Sequence, residues 1–327
     1  MRLRGFGLKS ALLSALLLTG LLLAAWINLP LGTRLVNRTV FSAAEGLPLL
    51  PAFHSGQRIM LLAPHPDDET LCCAGLIQQA VAAGAEVQVV WVTSGDGFEL
   101  GGALMSRQLD PTDAAMMQLA RTRTREAQTA ARLLGLRADQ TSFLGYPDGG
   151  LLPMFLEHYA SPFTSPLTGQ SAVYLGAALS PGAAYTGLNL ERDLGGVIAR
   201  FRPDLLLAPA AEDQHPDHRT VSYLATRIMA ERQQVSRLRF WVVHGGLEWP
   251  LPKGRHPELP LTIPPRAPTL PWQQVALTPA QRQVKHRAIQ TYATQTALLG
   301  RFMAAFDRRT ELLAPEGTVP ITGARLR

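Results

Sequence analysis

Apolar residues along this chain fall into short runs separated by longer stretches of helical spacing. The runs at residues 59–62, 86–93, 141–144, 204–208 and 239–243 are leucine-rich, β-branched or aromatic. Turn formers follow most of them, which predicts strands. Residues 70–83, 114–134, 191–201, 216–232 and 279–302 read as helices, with Gly84 and Gly135 at two of the predicted ends. Strands alternating with helices predict an α/β fold on a mostly parallel sheet with helices on both faces.

The pattern breaks elsewhere. Residues 37–57 read as a linker and residues 98–112 as a loop that borders the substrate. Two irregular insertions, near 154–190 and 246–275, are rich in proline, and residues 248–272 are too proline-dense for a helix. Tyr159, Phe163, Tyr174 and Tyr185 in the first insertion either tie the loop down or offer stacking faces to a sugar. We expect one catalytic domain over 58–310 and a loosely ordered tail at 311–327.

Residues 11–26 are almost wholly apolar and follow Arg2, Arg4 and Lys9. That length is near what spans a bilayer. Residues 1–36 are therefore read as a single-pass inner-membrane anchor with the catalytic domain on the periplasmic side. A cleaved signal peptide, leaving an exported soluble form, is the alternative, with Leu23 at a position that favours a small residue. The net charge of +6 comes from a chain in which arginine outnumbers lysine. It fits an anionic surface or substrate, while no nucleic-acid motif is present and no protein partner is deducible. Cys72 and Cys73 are the only cysteines. As neighbours they are expected to pack as two small apolar side chains.

Two stretches carry the candidate chemistry. Residues 61–71, LLAPHPDDETL, place His65, Asp67, Asp68 and Glu69 just after the first strand. Residues 211–221, AEDQHPDHRTV, place His215, Asp217 and His218 after another. Open α/β sheets bind ligands at such strand ends. Crowded carboxylates there need a cation, a proton or arginines to compensate them; a metal ion is the economical choice, since His with Asp is a common Zn²⁺ ligand set. Spacing alone leaves open which of Asp67, Asp68 and Glu69 is a ligand. Asp96, in SGDG, reads as a turn aspartate, and Asp148, in YPDGG, either as a turn residue or as a sugar contact. His244 ends a third strand and is a candidate substrate contact.

PHPDDE followed by HPDH resembles the LmbE-like, or PIG-L, family of metal-dependent N-acetylglucosaminyl deacetylases. Weaker echoes lie at 123–135, 144–151 and 285–295, so the resemblance spans roughly 58–301. It implies a Rossmann-like fold and hydrolysis of an N-acetyl amide. It also implies that His65, Asp68 and His218 hold the metal, Zn²⁺ or alternatively Fe²⁺, and that Asp67 is the general base. A protonated His215 would stabilise the oxyanion, Asp217 would orient a histidine, and Glu69 would serve the first helical turn. Arg125 and Glu126 would shape the site, with Arg125 contacting substrate. Where some relatives have a tyrosine before HPDH, this chain has Asp213 and Gln214. The membrane segment points to an N-acetylated glycolipid or envelope glycan as substrate. A metal hydrolase acting on another bond, and a tethered non-catalytic carbohydrate-binding protein, are the alternative readings.

Overall fold

The computed structural model describes residues 14–23, 38–246 and 249–315. Seven strands form one sheet, in the order β3-β2-β1-β4-β5-β7-β6. They are β1 (Arg58–Ala63), β2 (Glu86–Thr93), β3 (Thr141–Tyr146), β4 (Leu205–Pro209), β5 (Leu238–Trp241), β6 (Gln273–Ala276) and β7 (Thr310–Pro315). The first five pair in parallel, and β7 runs antiparallel between β5 and β6. Strand β1 pairs with β2 on one side and β4 on the other. The connections reverse direction at that seam. A crevice therefore opens at the C-terminal ends of β1 and β4. Both are leucine-rich and almost fully buried, as central strands covered on both faces must be.

The helices form two groups. Helices α2 (Asp68–Ala82), α4 (Asp113–Leu133) and α8 (Pro279–Thr291) pack together, and α5 (Leu151–Leu156), α6 (Gly187–Phe201) and α7 (Pro216–Glu231) form the other group. Helix α1 (Arg38–Glu45) lies within the expected linker. The expected loop at 98–112 contains helix α3 (Glu99–Ser106). Its Gly101 and Gly102 let it pack closely: a Cβ at Gly101 would meet Phe98 and one at Gly102 the Met116 sulfur. The helix predicted at 279–302 is two helices, α8 and α9 (Ala293–Ala304), broken at Tyr292 (φ −81°, ψ 61°). The proline-dense stretch carries no helix at 249–272, as its composition requires. In the first insertion, Tyr159 donates to Glu191 and Tyr174 to Asp96, while Tyr185 is fully buried, so these tyrosines tie the loop down.

The apolar N-terminal run is helical at residues 14–23; the rest of the expected anchor, 1–13 and 24–36, lies outside the described residues. Among the described residues no helix is long and apolar enough to cross a membrane.

Helix α2 is bent, and the bend explains the C-terminal strand. Cys73 leaves helical geometry (φ −141°, ψ 15°), and Cys72 and Cys73 are joined in a disulfide rather than packed as separate side chains. At that bend Lys285 Nζ donates to the Leu71 carbonyl at 2.8 Å, and Glu311 accepts from Gly75 N at 2.8 Å and Leu76 N at 2.9 Å. The two side chains pair with each other at 2.8 Å, both fully buried. The start of the expected loose tail is thus a fixed strand. Leu312, Leu313 and Ala314 are buried, and Glu311 holds the helix that begins at the first motif. Removing one partner of a buried pair leaves the other uncompensated. Glu311→Ala is expected to cost about 3–5 kcal/mol in denaturant-induced unfolding. A loss below about 1 kcal/mol would mean the pair is replaceable.

Candidate active site

The two motifs meet at the β1–β4 seam. His65 Nδ1 lies 3.2 Å from His218 Nε2 and 3.6 Å from Asp68 Oδ2, and His218 Nε2 lies 3.3 Å from the same oxygen. Ligands about 2.0–2.1 Å from a tetrahedral ion stand about 3.3–3.4 Å apart. The triangle of donors therefore has the dimensions of one face of such a coordination shell. All three residues are buried.

The far nitrogen of each histidine faces carboxylates. His65 Nε2 lies 3.2 Å from Asp217 Oδ2 and 3.1 Å from Asp148 Oδ1. His218 Nδ1 lies at ion-pair distance, 3.2 Å, from Asp213 Oδ2. Carboxylates behind metal-binding imidazoles fix ring orientation and strengthen the ligand. Asp217 orients the histidine of the first motif, not one of its sequence neighbours. Its remaining capacity accepts Gly149 N at 2.7 Å and Leu151 N at 3.1 Å. Asp213 accepts from the backbone nitrogens of His215, Val243 and His244 at 2.9–3.0 Å.

Asp67 and Glu69 separate cleanly. Glu69 is buried and accepts from Trp91 Nε1 at 2.8 Å, Thr70 Oγ1 at 2.6 Å and Tyr292 OH. It is held by these side chains as well as by its place in the first turn of α2. Asp67 occupies the N-cap position of α2 yet makes no side-chain capping bond. Its φ of 140° is unusual for a residue with a side chain. Such backbone costs on the order of 1–3 kcal/mol and marks functional positions. Its carboxyl lines the cleft together with His215, His244, Asp148 and Arg123.

Two expected site residues fall elsewhere. Arg125 is exposed on the opposite side of α4 and donates to Arg121 O and Thr122 Oγ1. Glu126 caps α9 by accepting from Thr294 N at 3.0 Å and Thr294 Oγ1 at 2.6 Å. The arginine that enters the cleft is Arg123, two positions away and therefore about 200° around the helix. It donates to Gly95 O at 2.7 Å, Pro66 O at 3.2 Å and Asp148 Oδ2 at 3.2 Å, tying three strand-end loops together. Gly95 has φ +73°, and a Cβ there would stand 2.8 Å from the guanidinium carbon. Asp148 is a site residue: its backbone N donates to Asp96 Oδ1 at 2.8 Å. Asp96 is thus more than a turn aspartate, since it fixes Asp148 and accepts from Tyr174 OH at 2.9 Å.

The electrostatics depend on a buried excess of carboxylates. Burial alone would lower the His218 pKa, but Asp213 and Asp68 outweigh it and raise the value to about 10. His65 is likewise raised against burial by Asp148, Asp217 and Asp68. Asp68, Asp148 and Asp213 stay well below the usual carboxylate range despite burial, held there chiefly by the histidines. Burial and the neighbouring Asp68 raise Asp67 to about 8. His215 and His244 are lowered to about 4 by burial and by nearby imidazolium charge. The His215 imidazole lines the cleft beside Asp67. Its Nδ1 accepts from Asp217 N at 3.2 Å, so the hydrogen sits on Nε2. A cation held at the donor triangle would take the place of protons on His65 and His218.

These shifts set a pH dependence for protein stripped with chelator. His218 is raised above its ordinary 6.5, so its contribution is complete below pH 6.5 and is lost as pH rises toward about 10. Asp67, raised to about 8, acts in the same sense up to that pH. His215 and His244, depressed to about 4, lower stability as pH falls from 6.5 toward 4. On the acid side the raised Asp67, Asp96 and Glu69 oppose these two histidines, so the clear expectation is a melting temperature of stripped protein that declines as pH rises above 6.5. A divalent cation should reverse the alkaline decline, because binding releases protons. A flat or rising profile without metal would contradict this assignment.

A family profile described as GlcNAc-PI de-N-acetylase (PIG-L) matches residues 60–229, a span that includes both motifs. A protein described as 1D-myo-inositol 2-acetamido-2-deoxy-alpha-D-glucopyranoside deacetylase, from Mycobacteroides abscessus, is 30% identical over 198 residues, covering 57% of this chain and 60% of the relative. One of the same description from Mycolicibacterium smegmatis is 28% identical over 187 residues, covering 54% of each. The chain thus spans little more than half the length of the curated relatives it matches. The solved structure of N,N'-diacetylchitobiose deacetylase from Pyrococcus horikoshii covers 89% of this chain and 96% of its own, with a TM-score of 0.51 at 18% identity, and shares the fold. With a profile match over half its length and both motifs folded into one buried cleft, the chain belongs to the PIG-L family.

Proposed function

We propose that this protein is a divalent-metal-dependent deacetylase that hydrolyses the N-acetyl amide of an N-acetylglucosamine-type sugar. The observation that carries the reading is the donor triangle of His65, Asp68 and His218 with the uncapped carboxyl of Asp67 in the same cleft. The descriptions of the family and of the curated relatives supply the substrate class. Zn²⁺ suits this donor set, and Fe²⁺ accepts it too. A metal held there would polarise the acetamide carbonyl and render a bound water acidic near neutrality.

The chain's own groups supply the rest. Asp67 accepts the proton of the attacking water. The same carboxyl then passes that proton to the amine nitrogen as the C–N bond breaks. The products are acetate and the free amine. His215 donates its Nε2–H to the carbonyl oxygen as negative charge develops, and it does so as a neutral imidazole. Asp148 and His244 border the space left for the sugar, with Arg123 holding Asp148 in place.

The same reading extends to a lipid-linked or envelope-borne substrate. Phe98 and Leu299 line the cleft. Beside them, on α3 and α9, Leu100 is 65% exposed, Leu104 53% and Leu298 46%. Leucines at residues 16–18 and 21–23 are also exposed on the N-terminal helix. Apolar surface of this kind beside a cleft favours an apolar partner. Membrane tethering through the N-terminal run, with the catalytic domain on the extracytoplasmic side, belongs to this proposal.

Acetate release from N-acetylglucosaminyl compounds, metal-free and with Zn²⁺, tests the reaction. Asp67→Asn and His215→Ala should each lower kcat by about 10²–10³-fold, the usual consequence of losing one transition-state contact. Activity unchanged in Asp67→Asn would remove the proposed base. Comparable turnover of soluble and lipid-linked acceptors would remove the lipid extension and leave the chemistry standing.

A further inference from the structure

Among the described residues, the carboxylate of Asp67 receives one side-chain hydrogen bond, and it comes from a segment outside the family match. Gln295, in the first turn of α9, donates its Nε2–H to Asp67 Oδ2. Gln295 is only 2% exposed, and its Oε1 is buried with no partner among the described residues. A buried amide oxygen without a donor costs roughly 1–3 kcal/mol. An apolar side chain of the same size would avoid that cost. Among the described residues the amide has one polar partner, the Asp67 carboxyl, which its nitrogen faces.

The backbone around Gln295 is fixed on both sides. One turn earlier, at the break between α8 and α9, Tyr292 donates to Glu69, two residues beyond Asp67. The intervening Thr294 is bound twice by Glu126 of α4. The α8–α9 junction therefore grips the first motif at two points, and α4 holds the junction. Asp67 has a positive φ and no capping bond; its backbone N donates to Glu69 Oε2 at 3.3 Å, and among the described residues its carboxyl has no side-chain partner besides Gln295.

We propose that Gln295 is the positioning residue for Asp67, and that the break at Tyr292 exists to deliver Tyr292 and Gln295 to alternate residues of the motif. This rests on the reading of Asp67 as the base of a deacetylase. Gln295 touches Asp67 and not the reacting atoms, so its loss should appear in turnover and not in metal or substrate affinity.

The test is Gln295→Met in the full chain, a near-isosteric change that deletes both the donor and the orphaned oxygen. Gln295→Ala serves as a second variant. Four quantities are measured against wild type: the melting temperature, Zn²⁺ stoichiometry, kcat with KM, and the Asp67 side-chain position in crystals. The expected result is a melting temperature equal to or above that of wild type, with one Zn²⁺ retained. KM should stay within about twofold and kcat fall about tenfold or more, with the Asp67 carboxylate displaced from its wild-type position. A purely structural glutamine would instead lower the melting temperature while kcat held. An unmoved Asp67, or kcat within about twofold of wild type, would overturn the proposal. Failure of the deacetylase reading would show separately, as wild type that releases no acetate. The Asp67 position would then decide the positioning claim alone.

Discussion

Three buried carboxylates and a fourth, half-buried one gathered around two imidazoles set the terms for the rest of this molecule. Asp68, Asp148, Asp213 and Asp217 converge on His65 and His218 at the C-terminal ends of β1 and β4. Removing that much charge from water is tolerable only with cations in the same space. Without metal, the two histidines must carry protons far above their ordinary range. In the proposed metal-bound form the same nitrogens and one Asp68 oxygen would face one ion, and the other carboxylates would orient the ligands from behind. The parallel seam between β1 and β4 makes the convergence possible, because both strands end on the same side with nothing between them.

The elements outside the seam act as braces. Arg123 joins the loops after β1, β2 and β3 by contacting Pro66, Gly95 and Asp148. Lys285 and Glu311 hold the bend of α2, the helix that begins at the first motif. The α8–α9 junction reaches Glu69 and Asp67. The cleft is thus assembled from the whole length of the described domain, including a C-terminal strand. Its rigidity is distributed over buried ion pairs and amide contacts rather than concentrated in one loop.

Much of this was legible in the sequence, for physical reasons. Parallel strands buried on both faces read as unbroken apolar runs, and strand ends carrying His and Asp stand out against them. His65, Asp67, Asp68, His215, Asp217 and His218 were found that way and do lie together. What was missed depends on contacts distant in the chain. Arg123 shares the helical phase of buried Ala120, Ala127, Ala130 and Ala131, so periodicity could have preferred it over Arg125. Asp213 occupies a position noted only for the tyrosine it lacks. Nothing local marks Gln295, or Glu311 in a tail that looked disposable, because their roles come from partners more than 200 residues away.

X-ray diffraction across the absorption edge of the bound metal, on crystals of the full chain grown with Zn²⁺, tests the central claim most directly. The account predicts a single anomalous peak bonded to His65 Nδ1, His218 Nε2 and the Asp68 carboxylate, with Asp213 and Asp217 remaining behind the two imidazoles. No peak in the cleft would contradict it. So would an ion held instead by Asp213, His218 and His244, whose donor atoms also lie close together.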